Sequence, residues 1–461
     1  MNPLYGSDYT NRVVMSLMYQ GLFAVDSKNN TTPILCSQYQ VTPDNRTWTI
    51  YLEPNATFSD GTRVTVQDVV ASYEQARQNV YYKGRFTHIA RVELSSDGGV
   101  DFFLDTPYQN LALLLDIPIV KASEVTADNP LGTGPYSLED GIGGKHLQRV
   151  VNWWCSSDDL VAKDSSIALV EAESPSQIRD EFEFSGLSVV CTNPQTDSYA
   201  DYRCDFELWE VDSGFMMYIG CNVTYSKFFD DGTLRTFLTY GIDRQALVDD
   251  NYGGLALPTT LPISPMSPYY SKSLATNYDY DEMRFIDAAS KFRVPTNDKG
   301  VPRTLQLLVN SDDSARLRCA RNIAATLTEL GLACETVESP TSVYEARLQA
   351  ANYDIYLGIT KLPTTADLSE FYRPWGEMSW GGLANETIYN MVNQSLADRG
   401  NYYNLHKLVA DDGRIIPVMA GYYAIYAKRG VLSDLNPARD NVFYYTLGKT
   451  MESSKVATQF S

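Results

Sequence analysis

The sequence predicts an α/β protein with mixed sheets in at least two lobes. Strand-like and helix-like segments alternate along the chain without an internal repeat. A strand–helix–strand unit between residues 303 and 337 calls for a parallel pair with a right-handed crossover. The length of 461 residues, at roughly 150 per domain, suggests about three structural units, and 44% hydrophobic against 20% charged residues describes a folded chain.

The elements follow in order. Thr47–Leu52 alternates apolar and polar residues in the period of a half-buried strand. Ser59-Asp60-Gly61-Thr62 reads as a turn in which Gly61 supplies the positive φ. Thr65 is an N-cap, with Asp68 three residues on in place of the usual glutamate of a capping box. The helix they open spans residues 66–79, with Val69, Val70 and Tyr73 on one face. Residues 131–136 are a turn-rich crossing. Their lone Gly-x-Gly lacks the further glycine or Gly-Lys-Ser/Thr that a phosphate loop needs. Residues 216–221 form an apolar strand, and residues 234–249 a helix with a core stripe of Leu234, Phe237, Leu238 and Ile242.

A proline-rich irregular connection covers residues 258–268. Then come a strand at 305–309, a helix at 315–330 closed by Gly331, and a strand at 332–337. A helix at 343–350, a strand at 353–358 and helices at 388–397 and 401–410 lead to two closing strands, 415–418 and 422–427.

Charge and motifs narrow the function. With 37 basic and 57 acidic side chains the net charge is −20, which argues against a nucleic-acid binder and against docking on anionic lipid. The most apolar run, residues 111–120, carries Asp116 and falls short of the ~20 apolar residues of a spanning helix. Residues 1–5 have neither the charged nor the apolar region of a signal peptide.

Seven cysteines with no Cys-x-x-Cys pair, and only three histidines, give no zinc-ligand spacing. Cys191/Cys204 and Cys319/Cys334 are the loop-closing pairs to test for disulfides. His88, His146 and His406 sit in no nucleophile–base motif, and neither Gly-x-Ser-x-Gly nor His-Glu-x-x-His occurs. The adjacent carboxylates Asp158-Asp159, Asp230-Asp231 and Asp411-Asp412 read as solvated turns. No enzyme activity, cofactor or metal is expected.

Several blocks, in order, resemble the family 5 extracellular solute-binding proteins, which capture oligopeptides, dipeptides or nickel chelates for ABC importers. Asn2-Pro3-Leu4 and Tyr19-Gln20-Gly21-Leu22-Phe23 resemble the family's opening "NPL…YEGL". Trp48 to Leu52, Phe58-Ser59-Asp60-Gly61-Thr62 and Thr65 to Ser72 resemble its best-known signature, and Gly132-Thr133-Gly134-Pro135-Tyr136 its "GTGPY". Phe229-Asp230, Leu234-Arg235 and Ile242 to Val248 resemble "PF.D.RVRQAL..AIDR..IV", and Tyr353 to Gly358 resembles "YDLYLGGW".

The resemblance implies a two-lobed periplasmic-binding-protein-like fold of type II, with a hinged cleft and a small extra domain on lobe I. Lobe I would combine 1–40 and 130–222 with a C-terminal return at 431–461. The small domain would be 41–129 and lobe II 223–430.

It further implies ligand contacts at Tyr19, Gln20 and Gly21, at Thr133 and Gly134, and from Ile359 through Thr360 and Lys361 to Asp367. Two positions depart from the family: Gln20 stands where glutamate is frequent, and Ile359 replaces a common tryptophan. The usual aspartate a few residues on falls at Leu362, leaving Asp367 to anchor a ligand ammonium or to cap the following turn. Lys361 meets a carboxylate or is solvated. Trp375 and Trp380 lie among glycines, so Trp380 lines the cleft or is structural.

The expected function is extracytoplasmic capture of peptides for a membrane permease, by a monomer anchored through a lipid at a leader upstream of Met1 or held in the periplasm. The same fold binding a metal chelate, sugar or other small organic solute, or serving as a ligand-sensing module, is the alternative.

Overall fold

In a computed structural model, which describes residues 1–6, 8–141, 143–155, 165–172, 174–195, 202–432, 435–441 and 456–457, the capping box forms as the spacing requires. The Asp68 amide donates to the Thr65 hydroxyl (3.4 Å) and the Thr65 amide to the Asp68 carboxylate (2.8 Å), opening the helix Val66–Arg77. Gly61, at φ +80°, turns the chain just before it.

The chain forms two units by contact density. One comprises Met1–Val211, Pro363–Thr365 and Tyr423–Ser461, the other Asp212–Leu362 and Ala366–Tyr422. In the first unit, an antiparallel sheet runs in the spatial order Cys36–Val41, Thr47–Leu52, Val100–Leu104, Ile89–Leu94. Trp48, Ile50, Val100 and Phe102 are buried on its inner side, as period-2 alternation demands. Tyr73 of the helix Val66–Arg77 meets Phe102 edge-on, ring centroids 5.0 Å apart. Elsewhere in this unit the hairpin Tyr136–Gly141/Gly144–Arg149 pairs onward with Ser166–Val170. The strand Val189–Thr192 pairs antiparallel with Ala424 to Ala427.

In the second unit, Leu305–Asn310 and Cys334–Ser339 lie parallel, joined through the helix Ser314–Glu329, which gives the expected crossover unit. Ile355–Lys361 pairs parallel with Leu305–Asn310 and antiparallel with the end of Phe206–Cys221. Met217, Ile219, Leu305, Leu307, Ile355 and Leu357 of these strands pack on Cys319, Ile323 and Leu327 of the helix in one buried cluster.

Three expectations are corrected. The helix expected over 234–249 is broken into Thr233–Phe237, a 3-10 turn Leu238–Gly241 and Arg244–Tyr252. Gly241 lies where a β-carbon would come within 2.6 Å of the Phe285 ring, and Asp243 caps a new helix by accepting from Ala246 N (3.0 Å). The two closing strands are one strand, Ile415–Lys428, which continues through Ala420 because Leu257–Pro258 pairs with it there.

Neither candidate disulfide forms. All seven cysteines are free thiols, and burial pushes the Cys191 and Cys319 thiols up to about 12, out of reach of thiolate chemistry near neutral pH. Of the adjacent carboxylates, Asp158-Asp159 lie outside the described residues.

Candidate functional site

In the first unit the segment after the helix Tyr9–Ser16 runs extended against residues 115–119. Phe23 N donates to Leu115 O (3.1 Å) and Ile119 N to Gln20 O (2.9 Å). The approach is so close that a β-carbon at Gly21 would lie 2.7 Å from the Asp116 carbonyl carbon, so only glycine fits. Tyr19 and Gln20 are buried. The Tyr19 hydroxyl donates to Pro130 O (2.8 Å), and Trp154 Nε1 reaches Gln20 Oε1 (3.2 Å).

Thr133 and Gly134 come to the same place, for a backbone reason. Gly134 N donates to Met18 O (2.8 Å), and a β-carbon at Gly134 would stand 2.5 Å from the Met18 carbonyl carbon. Both indoles of Trp153 and Trp154 donate to the Thr133 carbonyl (2.7 and 2.9 Å). The buried Thr133 hydroxyl has no hydrogen-bond partner among the described residues. The five residues singled out in this half of the sequence are therefore neighbours in one packed region.

Tyr19, Gln20 and Gly21 border a cavity of about 60 Å³, whose charged lining residues are Arg12, Arg85, Asp116 and Asp440. Arg85 makes a two-pronged pair with Asp116 (Nε–Oδ1 2.8 Å, Nη2–Oδ2 3.0 Å) and a further bond to Asp440 (2.8 Å). Arg12 lies 3.5 Å from Asp440, donates to the Tyr423 hydroxyl (2.8 Å) and sits 4.4 Å above the Tyr81 ring. Tyr81 donates to Asp440.

Burial works against the charge of both guanidiniums. For Arg85, Asp116 and Asp440 overcome it and hold the group well above the ordinary arginine value. Two cations and two anions thus line the cavity. Arg12, Arg85 and Asp440 were not found from the sequence, since they come from segments far apart in the chain. Asp116 left one signal: a lone charge inside an apolar run needs a buried partner.

In the second unit Ile359, Thr360 and Lys361 end the strand Ile355–Lys361, opposite Met217, Met216 and Phe215. Ile359 is 38% exposed and Lys361 exposed, while Thr360 Oγ1 lies 3.5 Å from the Met378 sulfur. Asp367 is buried, and its carboxylate accepts from Ser369 N (2.8 Å), a capping contact on the following turn.

Trp380 is half-buried and meets Tyr356 edge-on at 6.0 Å. Its turn is pinned from two sides. Val223 N donates to Gly381 O (2.8 Å), and Arg414 donates to Gly382 O and Ala384 O (3.0 and 3.1 Å) while paired with Asp412 (3.2 Å). Trp375, five residues earlier, is 97% exposed at φ +60°, a conformation that side-chain-bearing residues adopt only at a cost.

Residues 30–382 match the family described as bacterial extracellular solute-binding proteins, family 5 Middle. The glutathione-binding protein GsiB of Escherichia coli is 25% identical over 301 residues, covering 60% of this chain and 57% of GsiB. The chain thus matches little more than half the length of that curated relative. Among solved structures, NikA from Brucella suis in complex with Fe(III)-EDTA superposes with a TM-score of 0.73 at 17% identity (98% of this chain, 97% of NikA). The oligopeptide-binding protein AppA from Bacillus subtilis, in complex with a nonapeptide, gives 0.67 at 17% identity (98% and 96%). The fold is that of these binding proteins, and with the family match covering most of its length, the chain belongs to the bacterial extracellular solute-binding proteins of family 5.

Proposed function

We propose that this protein is the extracytoplasmic substrate-binding component of an ABC importer, capturing peptides and handing them to a membrane permease, and that it performs no catalytic step. The observation that carries the reading is the family match over residues 30–382, joined by the likeness to an oligopeptide-binding protein solved with its peptide. Among the described residues no helix is long and apolar enough to cross a membrane. We place the protein on the outer face of the cell membrane, held by a lipid, or in the periplasm. We take it to act as a monomer.

On the first unit the proposed ligand contacts are Tyr19, Gln20 and Gly21 at the cavity, backed by Thr133 and Gly134. On the second they are Ile359, Thr360, Lys361 and Trp380, with Asp367 as the anchor for a ligand ammonium. Aromatic walls and a few fixed polar groups suit peptide ligands, whose backbone is uniform and whose side chains vary.

The test is a thermal-shift screen of the purified protein against di- to octapeptides, with sugars and metal chelates as controls. A ligand that binds the folded state alone raises Tm with its concentration over Kd. Shifts confined to peptides are expected. A shift with a chelate or sugar alone would keep the fold and replace the ligand.

A further inference from the structure

Two tryptophans sit on one loop of the second unit, and the fold uses only one of them. Trp380 is half-buried and meets Tyr356. Trp375 is 97% exposed, at φ +60°, between Pro374 and Gly376. That conformation crowds a β-carbon against the backbone, so a tryptophan there costs stability where a glycine would not.

The surrounding turn holds it there. Glu370 O accepts from Met378 N (3.1 Å), and the Glu370 carboxylate accepts from Glu377 N (2.9 Å) and pairs with Arg373 (2.7 Å). Gly376 N donates to Arg373 O (3.1 Å), and Ser379 donates to Gly376 O through its amide (3.0 Å) and its hydroxyl (2.7 Å). A β-carbon at Gly376 would lie 2.2 Å from Glu370 O. The loop is a fixed mount for a bare indole. Strained backbone that its surroundings hold in place gathers where a ligand or partner is met.

We propose that Trp375 is a ligand-contacting residue, packing on a large apolar or aromatic side chain of the captured peptide. The inference rests on the peptide-binding reading and names a side-chain class for it. The loop reaches the strand that carries the proposed contacts: Thr360 Oγ1 donates to Met378 Sδ (3.5 Å), and Ile359, next along the strand, is 38% exposed. Strand end and loop, joined at that contact, carry Ile359, Met378 and Trp375, three apolar side chains. An indole offers a ligand side chain a large flat surface while only two torsions have to be ordered.

The experiment titrates the wild type and Trp375→Gly calorimetrically with two peptide pools of the length that raises Tm most in the thermal-shift screen. One pool is built from Leu, Phe and Tyr, the other from Gly, Ala and Ser. The wild type should bind the apolar pool about tenfold more tightly, the scale of one buried aromatic contact. Trp375→Gly should bring the two pools within about twofold of each other by weakening the apolar pool alone. Its urea midpoint should hold or rise, because glycine adopts this φ freely.

Equal wild-type binding of the two pools overturns the inference and leaves peptide binding intact. A preference that survives in Trp375→Gly does the same, and would leave the indole to a permease or a second copy of the chain. A lowered midpoint overturns it too, since the ring would then be holding the turn. No shift with any peptide in the screen overturns the peptide reading itself.

Discussion

Tyr218 stands directly opposite Gly358 where the strands Phe206–Cys221 and Ile355–Lys361 pair, and its ring fills the space a side chain at 358 would need. A β-carbon on Gly358 would lie 2.6 Å from Tyr218 Cζ. Two residues along, Gly220 faces Tyr356 in the same way, and the two phenol oxygens are 3.3 Å apart in the buried layer. The glycines are there for room, since neither has a positive φ.

Gly358→Ala should therefore destabilise the protein by about 2–3 kcal/mol, the cost of overpacking a core that cannot yield. Tyr218→Leu beside Gly358→Ala should recover part of that loss, because the added methyl then has somewhere to go. Urea unfolding of both variants decides it. A single alanine substitution with unchanged midpoint would mean that the pair is not close-packed.

Arg244 is the second unit's most committed polar group. It is fully buried, and its guanidinium donates to the carbonyls of Thr259, Pro417, Thr239 and Ile242 (2.9 to 3.2 Å) and to the Thr239 hydroxyl (2.8 Å). Burial pushes it down to about 10, so it remains charged at neutral pH. Arg244→Met should cost about 3–5 kcal/mol by stranding those carbonyls, and Arg244→Lys less, since an ammonium serves some of them. A methionine variant as stable as the wild type would show that water replaces the guanidinium.

His406 predicts a pH effect. It is buried in the helix Tyr402–Asp412, neither ring nitrogen has a hydrogen-bond partner among the described residues, and burial lowers it from 6.5 to about 4. The unfolded chain thus takes up this proton at a higher pH than the folded one. Its contribution is fully present above about pH 6.5 and is lost as pH falls toward 4, by up to about 3 kcal/mol. His406→Leu should narrow the difference in Tm between pH 7.5 and pH 5. A difference as wide as that of the wild type would place the acid sensitivity elsewhere.

How much of this was legible follows from which signals are local. The capping box at Thr65 and Asp68, the turn at Gly61 and the crossover unit from Leu305 to Ser339 rest on spacings of a few residues, and the structure has them. The break at residues 241–243 was hidden because Leu238 and Ile242 keep a helical period through the 3-10 turn. Gly241 before a capping Asp243 was the local cue.

The closing strand was divided in two because Ala420 and Gly421 carry no long side chain, while its partner Leu257–Pro258 lies far off in sequence. The site divides on the same line. Tyr19, Gln20 and Gly21 sit in one recognisable block. Arg12, Arg85 and Asp440 meet only because the chain returns after 428 residues, from Arg12 to Asp440 (440 − 12), and no spacing encodes that return.

Asp367 allows the charge of a side chain to be tested apart from its structural use. Its carboxylate caps Ser369 N at 2.8 Å, and asparagine accepts the same bond. Asp367→Asn should consequently keep the turn, with a stability change under about 1 kcal/mol, while removing the negative charge. If that charge anchors a ligand ammonium, the variant binds free-amine peptides more weakly, by about tenfold, and acetylated peptides as before. Titration of one peptide in both forms separates the cases: equal losses, or none, would leave Asp367 as a cap alone and assign recognition of the amine to another group.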